Sequence, residues 1–146
     1  MRSELHLVMR APIERIFPLA AEVEQWPEIL PHYRYVRRLP GDERRFAMGA
    51  RRGPIPVSWE AIQRPLFEER RIEFVHTGGV TRGMEVAWHF EATTGGTDVS
   101  IEHHLELQWP LIGGFAARHV IGPQFIEAIA GRTLRRIRDL AEAMDR

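Results

Sequence analysis

Between Thr97 and Met144 the chain reads TDVSIEHHLELQWPLIGGFAARHVIGPQFIEAIAGRTLRRIRDLAEAM, and its hydrophobic period changes once along this stretch. From Thr97 to Trp109 apolar residues occupy every second position, which is typical of a β-strand with one buried face. Beyond Gly122-Pro123 they recur every three or four residues, which predicts a long amphipathic helix. The helical apolar stripe consists of Phe125, Ile126, Ile129, Thr133, Ile137, Leu140 and Met144.

The rest of the chain has a simple order of elements. Glu4–Met9 alternates as a strand, Ala11-Pro12 opens a short helix, and Trp26–Pro31 is a second short helix or turn. Six further strands are predicted over His32–Leu39, Arg44–Arg51, Ile55–Arg64, Glu69–Thr77, Thr81–Ala92 and Thr97–Trp109. Turn residues separate them at Pro40-Gly41-Asp42, Gly53-Pro54, Arg64-Pro65, Gly78-Gly79 and Gly95-Gly96. Strands this close in sequence pair antiparallel, so we predict an α+β fold with the helices on one face of a curved sheet.

The composition excludes several classes of protein. The 146 residues contain no cysteine, which removes disulfides, thiol catalysis and cysteine-ligated metals. Twenty basic residues balance twenty acidic ones, so we expect no DNA-binding surface. No apolar stretch approaches the ~20 residues that span a bilayer, and Met1–His6 lacks the apolar core of a signal peptide. We therefore expect one cytoplasmic domain over residues 1–146, without a membrane span.

Alternation assigns inward faces to the strands. On the last strand this face carries Val99, Ile101, His103, Leu105, Leu107 and Trp109. On the others it carries Ile72, Phe74 and His76; Met84, Val86, Trp88 and Phe90; Val57, Trp59, Ala61 and Gln63; Phe46, Met48 and Ala50; and Tyr33 with Tyr35. Apolar walls with a few polar groups are typical of a small-molecule pocket. We therefore predict an aromatic cavity whose polar atoms come from Tyr33, Tyr35, Gln63, His76 and His103.

His103 interrupts an otherwise apolar row. A neutral imidazole near pH 7 could act as a general acid or base, or it could be a core histidine bonded to a helix backbone group or a tyrosine hydroxyl. His76 lies near Gly78-Gly79, which suggests a place at the pocket mouth. The two histidines are predicted to lie two strands apart and out of register, so we do not expect them to act as a pair.

Motifs for metals, cofactors and nucleophiles are missing from the sequence. His103 and His104 are adjacent on a strand and face opposite ways, and no His-x-x-x-His pair occurs on a helix. The paired glycines are turn glycines rather than phosphate loops, and no Gly-x-Ser-x-Gly occurs. We expect no metal and no cofactor.

A group of arginines marks the hairpin that would form one sheet edge. Its members are Arg34, Arg37, Arg38, Arg44, Arg45, Arg51 and Arg52. Charges there either blunt edge-to-edge association or form a docking patch, at Arg37, Arg38, Arg44 and Arg45, for an acidic partner protein. The edge leaves both a monomer and a homodimer open.

Two more features lie near the start of the long helix. The apolar loop Trp109–Phe115 could be a ligand portal, or it could pack under the short helices. Arg118 and His119 could reach the pocket mouth, or belong to a solvated turn.

Five pieces of the sequence resemble one family. They are Ala11–Phe17, Glu24–Leu30, Trp88–Phe90, Gly96–Val99 and Thr133–Ile137. In order and spacing the chain resembles the START-related (SRPBCC) superfamily with the helix-grip, birch-pollen-allergen fold, and within it the polyketide cyclase/dehydrase and lipid-transport branch. The resemblance implies a curved seven-stranded sheet, two small helices at one end, and a long helix over a hydrophobic pocket.

The resemblance also implies a function. It implies binding of a lipid, quinone or polyketide-like molecule, with an aromatase/cyclase or dehydratase reaction as the enzymatic alternative, in which His103 or Tyr33 would move protons. A quinone-chaperone or ribosome-associated protein that uses the arginine edge is a third alternative. The ligand would contact Trp26, Tyr33, Tyr35, Met48, Trp59, Gln63, Phe74, His76, Met84, Val86, Trp88, His103, Leu105, Ile126, Ile129 and Thr133. Where the cyclases place a Ser and an Arg, this chain has Ala61 and Gln63, a departure from the enzymatic pattern.

Overall fold

Seven strands and three α-helices make up the part of the chain that the structure, a computed structural model, describes: residues 2–79, 81–106 and 123–144. The strands are β1 (Arg2–Met9), β2 (Tyr33–Arg38), β3 (Arg45–Arg52), β4 (Ile55–Leu66), β5 (Arg71–Gly79), β6 (Glu85–Thr93) and β7 (Gly96–His104). The helices are α1 (Ile13–Ala21), α2 (Trp26–Ile29) and α3 (Pro123–Ala143), with a 3-10 turn at Val23–Gln25 between α1 and α2. The predicted α+β order is confirmed.

The strands form one antiparallel sheet in the order β1-β7-β6-β5-β4-β3-β2. Strands β2 to β7 follow one another as a meander, because each pair is joined by a short turn. β1 pairs with β7 over its whole length, from Arg2 opposite His104 to Met9 opposite Thr97. The first and last strands are therefore neighbours, and the arginine-rich hairpin β2–β3 lies at one edge, as predicted.

The core lies between the inner face of the sheet and α3. Alternate residues on the strands are buried, for example Phe46, Met48 and Ala50 on β3. On α3 the residues at three- and four-residue spacing are buried, with Leu134 and Ile137 almost inaccessible to water. The sheet has one apolar face and α3 has one apolar stripe, and burying both explains why α3 packs across the sheet.

Two strands begin later than the alternation predicts, because turns take up their first residues. β6 begins at Glu85 and not at Thr81, since residues 81–83 turn and the Met84 N–H donates to the Thr81 carbonyl at 2.9 Å. β5 begins at Arg71 and not at Glu69, since residues 67–70 form a turn.

The predicted break at Arg64-Pro65 is wrong. β4 continues to Leu66, and Pro65 pairs with Ile72 of β5. The other neighbour, β3, begins only at Arg45, opposite Ile62. A proline is tolerated here because its nitrogen, which carries no hydrogen, faces the side where no strand is left to accept a bond.

The ends of the last two elements also differ from the prediction. β7 ends at His104, and Leu107 and Trp109 lie outside the described residues. Met144 was expected in the apolar stripe of the helix, but it follows the last helical residue and is 62% exposed. A side chain beyond the helix end is no longer held on the buried face.

Candidate binding cavity

A cavity lies between the inner face of the sheet and the first half of α3. Its volume is about 90 Å³. The described lining residues are mostly apolar or aromatic: Trp26, Tyr33, Met48, Val57, Trp59, Phe74, His76, Thr81, Met84, Val86, Trp88, Ile101, His103, Phe125, Ile126, Ile129, Ala130 and Thr133. None of these lining residues is an Asp, Glu or Arg.

Aromatic rings form a connected wall on one side of the cavity. The rings of Trp26 and Tyr33 meet edge to face, with centroids 4.9 Å apart, and Tyr33 continues to Trp59 at 6.0 Å. The Trp26 indole N–H donates to the Leu19 carbonyl at 2.9 Å. Because this bond uses the only polar hydrogen of the indole, Trp26 presents an apolar surface to the cavity.

Three side chains, His76, Thr81 and His103, form what we call the imidazole end of the cavity. His76 Nδ1 lies 2.6 Å from the Thr81 hydroxyl oxygen, and the His76 ring stacks on Trp59 with centroids 5.6 Å apart and an interplanar angle of 4°. His103 Nδ1 is buried and has no hydrogen-bond partner among the described residues. Both histidines are 6% exposed. His76 is thus enclosed by its neighbours and does not stand at an open mouth.

The register explains how the two histidines reach one site. Phe74 on β5 lies opposite Val86 on β6, which lies opposite His103 on β7. His76, two residues beyond Phe74, is held to the end of β6 because its N–H donates to the Met84 carbonyl at 2.9 Å. The histidines are therefore two strands apart and out of register by one step of the inner face, as predicted, and both line the cavity.

Burial controls the ionisation of the imidazole end. Loss of hydration lowers the pKa of His76 to about 3, with a further contribution from the neighbouring His103. Loss of hydration also lowers the pKa of His103 to about 4. Both rings are consequently neutral at pH 7, each with one donor and one acceptor nitrogen.

A second polar cluster joins β2 to α3 and was not found from the sequence. His32 Nε2 lies 2.9 Å from the Thr133 hydroxyl oxygen, and this hydroxyl donates to the Ile129 carbonyl at 2.9 Å. Burial and the positive charge of Arg132 lower the pKa of His32 to about 4. No sequence pattern indicated this role of His32, because its partner lies 101 positions away in the chain.

Tyr33 belongs to the same cluster. Burial raises the pKa of its phenol far above the usual value, and a hydrogen bond to Thr133 acts in the opposite direction. Tyr33 thus places its ring in the cavity wall, while its hydroxyl is tied to α3.

Three predicted lining residues lie elsewhere. Tyr35 is on the outer face of the sheet, because the register shifts between Tyr33 and Tyr35 and turns the second ring outward over Gly49. Gln63 is buried on the inner face, but its amide is engaged outside the cavity. Leu105 is buried just beyond the end of β7, outside the cavity lining.

Thirteen of the sixteen predicted contact residues do line the cavity: Trp26, Tyr33, Met48, Trp59, Phe74, His76, Met84, Val86, Trp88, His103, Ile126, Ile129 and Thr133. The lining also includes Val57, Ile101, Phe125, Ala130 and Thr81. Inward alternation or helical spacing had marked Val57, Ile101 and Phe125, so a signal for them existed. Thr81 gave none, because it reaches the cavity from a turn.

The sequence itself now identifies the family. The family model described as polyketide cyclase / dehydrase and lipid transport matches residues 9–121. The chain belongs to this family. Cyclases, dehydrases and lipid-transport proteins share small hydrophobic molecules as ligands, which agrees with the apolar lining of the cavity. No curated protein matches the chain.

Solved structures support the fold. The Zhui aromatase/cyclase from Streptomyces sp. R1128 has a TM-score of 0.87 at 16% identity, over 100% of this chain and 96% of that one. TTHA0849 from Thermus thermophilus has a TM-score of 0.74 at 22% identity, over 94% and 97%. A START superfamily protein from Mycobacterium smegmatis has 0.75 at 13%, over 98% of each chain. At these identities the likeness shows the fold alone and confirms the predicted helix-grip fold. The predicted superfamily is confirmed by the family match.

In this member of the polyketide cyclase/dehydrase family, Gln63 holds the end of α1. Its Nε2 donates to the Ala21 carbonyl at 2.8 Å, and its Oε1 accepts from Arg44 Nε at 3.0 Å and Nη2 at 2.9 Å. Both polar ends of the amide are therefore satisfied within the fold, so Gln63 offers no free group to a ligand.

Three arginines of the β2–β3 edge lie over aromatic rings in cation–π contacts. Arg37 Cζ lies 4.7 Å from the centroid of the Tyr35 ring, and Arg38 and Arg44 lie 5.6 and 5.5 Å from that of Phe46. A partner for this edge stays a prediction. The loop Trp109–Phe115, Arg118 and His119 lie outside the described residues.

Two further observations concern the described ranges. No three histidine, aspartate or glutamate side chains there are grouped so as to hold a metal ion. None of the helices there combines the length and the apolar character needed to cross a bilayer.

Proposed function

We propose that the protein binds an apolar, aromatic small molecule in the cavity between the sheet and α3. The observation that carries this proposal is the composition of the lining, in which the described residues include no acid and no arginine. Apolar walls with a few polar groups are typical of small-molecule sites, and the described lining of this cavity is of that kind.

The energetics of such binding follow from burial. Apolar surface removed from water contributes about 25 cal/mol per Å². The edge-to-face rings of Trp26, Tyr33 and Trp59 supply flat surfaces to which an aromatic ligand adds favourable ring contacts. We therefore expect affinity to rise with the aromatic area of the ligand.

The ionisation of the candidate proton-transfer groups favours binding over catalysis. An acid or base works best when its pKa lies near the working pH. The pKa of His103 is lowered to about 4, which makes it a weak base, and that of Tyr33 is raised, which makes it a weak acid. For either group to transfer a proton efficiently near pH 7, a bound substrate would have to shift the pKa of that group back towards neutral pH.

Fluorescence of N-phenyl-1-naphthylamine, a neutral aromatic probe, tests the proposal. The wild-type protein is expected to bind it saturably at one site. Val86→Trp fills the cavity from β6 and is expected to abolish binding. Val75→Trp is the matched control, because Val75 is 45% exposed on the neighbouring strand β5.

The proposal fails if the wild-type protein shows no saturable binding. It also fails if Val86→Trp binds the probe as tightly as Val75→Trp while both variants unfold cooperatively. Thermal unfolding of each variant separates a filled cavity from a lost fold.

A further inference from the structure

We propose that the imidazole end selects a ligand that carries an uncharged hydroxyl group on its aromatic body, and that the cavity rejects carboxylates and phosphates. This inference rests on the proposed binding function and names the ligand class for the same site. It separates the hydrophobic ligands that the family description covers into two groups, phenols or enols on one side and fatty acids or phospholipids on the other.

The first support is an unused hydrogen-bonding atom. His103 lines the cavity, is 6% exposed, and its Nδ1 has no partner among the described residues. A buried polar atom without a partner costs about 1–3 kcal/mol. Its neighbour His76 has such a partner at Nδ1, the Thr81 hydroxyl. Nδ1 is inaccessible to water in this side-chain position, so a bound molecule gains the hydrogen bond when the His103 ring turns this nitrogen towards the cavity.

The second support is the choice of chemical group. A hydroxyl can donate and accept, so it satisfies an imidazole nitrogen in either tautomer. A keto or ether oxygen can only accept, and it pairs with only one tautomer. The hydroxyl is the group that fits His103 whichever nitrogen carries the hydrogen.

The third support is that the described residues lining the site carry no positive charge. The titratable side chains among the described lining residues are Tyr33 on β2, His76 on β5 and His103 on β7, and α3 contributes none. Both imidazoles are neutral, so a buried carboxylate would lose its hydration without gaining a counter-charge. Such an anion is strongly disfavoured at the imidazole end.

Among the described residues, Arg52 has its guanidinium beside a ring that lines the cavity. Its Cζ lies 6.0 Å from the centroid of the Phe125 ring, which lines the cavity, but Arg52 itself is exposed. An anion held by Arg52 would remain in water and outside the imidazole end. Exposed charge pairs of this kind contribute about 0–1 kcal/mol.

Displacement of N-phenyl-1-naphthylamine by four compounds with the same ring system tests the inference near neutral pH. The compounds are naphthalene, 2-naphthol, 2-methoxynaphthalene and naphthalene-2-carboxylate. We expect 2-naphthol to bind about tenfold more tightly than naphthalene, which corresponds to one hydrogen bond of about 1.4 kcal/mol. We expect 2-methoxynaphthalene to bind less tightly than 2-naphthol, and the carboxylate to bind at least tenfold more weakly than naphthalene.

Substitution of His103 tests whether this residue causes the preference for 2-naphthol over naphthalene. His103→Phe is expected to reduce the preference for 2-naphthol over naphthalene to less than about twofold. His104→Phe is the matched control, because His104 is the next residue and lies on the outer face of β7. It is expected to leave the preference unchanged.

The inference is overturned if the carboxylate binds as tightly as 2-naphthol, or if His103→Phe keeps the full preference. Should His103→Phe not fold, the wild-type ranking decides alone, and equal binding of 2-naphthol and 2-methoxynaphthalene overturns the role of the hydroxyl. These outcomes differ from failure of the proposed function, in which naphthalene and the fluorescent probe themselves would not bind.

Discussion

His32 Nε2 lies 2.9 Å from the hydroxyl oxygen of Thr133, although 101 residues separate them in the chain. The contact fastens the start of β2 to the middle of α3. Both side chains are buried, and Thr133 also lines the cavity. The position of α3 over the sheet, and with it the width of the cavity, therefore depends on a polar contact as well as on apolar packing.

Thr133→Val should destabilise the protein by about 1–3 kcal/mol, because it leaves His32 buried without its partner while keeping the shape of the side chain. Chemical denaturation followed by circular dichroism measures the change. Thr133→Ser keeps the hydroxyl and is the control. If Thr133→Val were as stable as the wild type, the His32–Thr133 bond would contribute nothing to holding α3.

The outward position of Tyr35 makes a second prediction. A side chain at Gly49 would overlap the Tyr35 ring, so Gly49→Ala should cost about 1–3 kcal/mol of stability. In a Tyr35→Ala background the same substitution should cost much less, since the ring is gone. A double-mutant cycle of unfolding free energies measures this coupling. Independent effects of the two substitutions, or loss of probe binding in Tyr35→Ala, would place the ring in the cavity instead.

Gln63 gives a third prediction, which separates stability from binding. Gln63→Leu removes the hydrogen bonds to the Ala21 carbonyl and from Arg44, and should lower the free energy of unfolding by about 1–3 kcal/mol. The affinity for N-phenyl-1-naphthylamine should stay unchanged, because Gln63 does not line the cavity.

The neighbouring Arg64→Leu is the control for Gln63→Leu. It removes only an exposed contact with Glu73 at 3.3 Å, which should matter by less than about 1 kcal/mol. If Gln63→Leu folded fully and still changed the probe affinity, Gln63 would contact the ligand as well as the Ala21 carbonyl at the end of α1.

Acid should destabilise the protein through its three buried histidines. The pKa values of His32, His76 and His103 lie near 4, 3 and 4 in the folded state, below the value of about 6.5 in an unfolded chain. The unfolded state therefore binds more protons as the pH falls through 6.5, and stability that is complete above that pH is lost below it. One pH unit below 6.5, the fully buried His76 and His103 each cost on the order of 1 kcal/mol, and the less enclosed His32 costs less.

His6 works in the opposite direction. Its pKa is raised, mainly by a hydrogen bond to Glu4, so its small contribution is present at low pH and lost as the pH rises; both side chains are exposed. Melting temperatures between about pH 7 and pH 5 test the balance. His103→Phe should flatten the dependence and His104→Phe should not. A melting temperature that stays constant over this range would show that the buried histidines are not neutral in the fold.

The sequence by itself determined the order of elements and most of the cavity wall. The reason is local, because strand alternation and helical spacing are properties of neighbouring residues, and burial of one face follows directly from them. Trp88 and His103 could be assigned to the inner face in this way, as could Ile129 on the helix. The departure of Ala61 and Gln63 from the cyclase pattern was also visible in the sequence.

Tertiary structure decided what local periodicity does not encode. One shift of register between Tyr33 and Tyr35 turned a predicted lining residue outward. The contacts of His32 with Thr133 and of Gln63 with Ala21 span 101 and 42 positions, so no local pattern could pair them. The neutrality of the imidazole end likewise depends on how completely β5, β6, β7 and α3 together exclude water, because loss of hydration acts on the assembled site and not on the single residue.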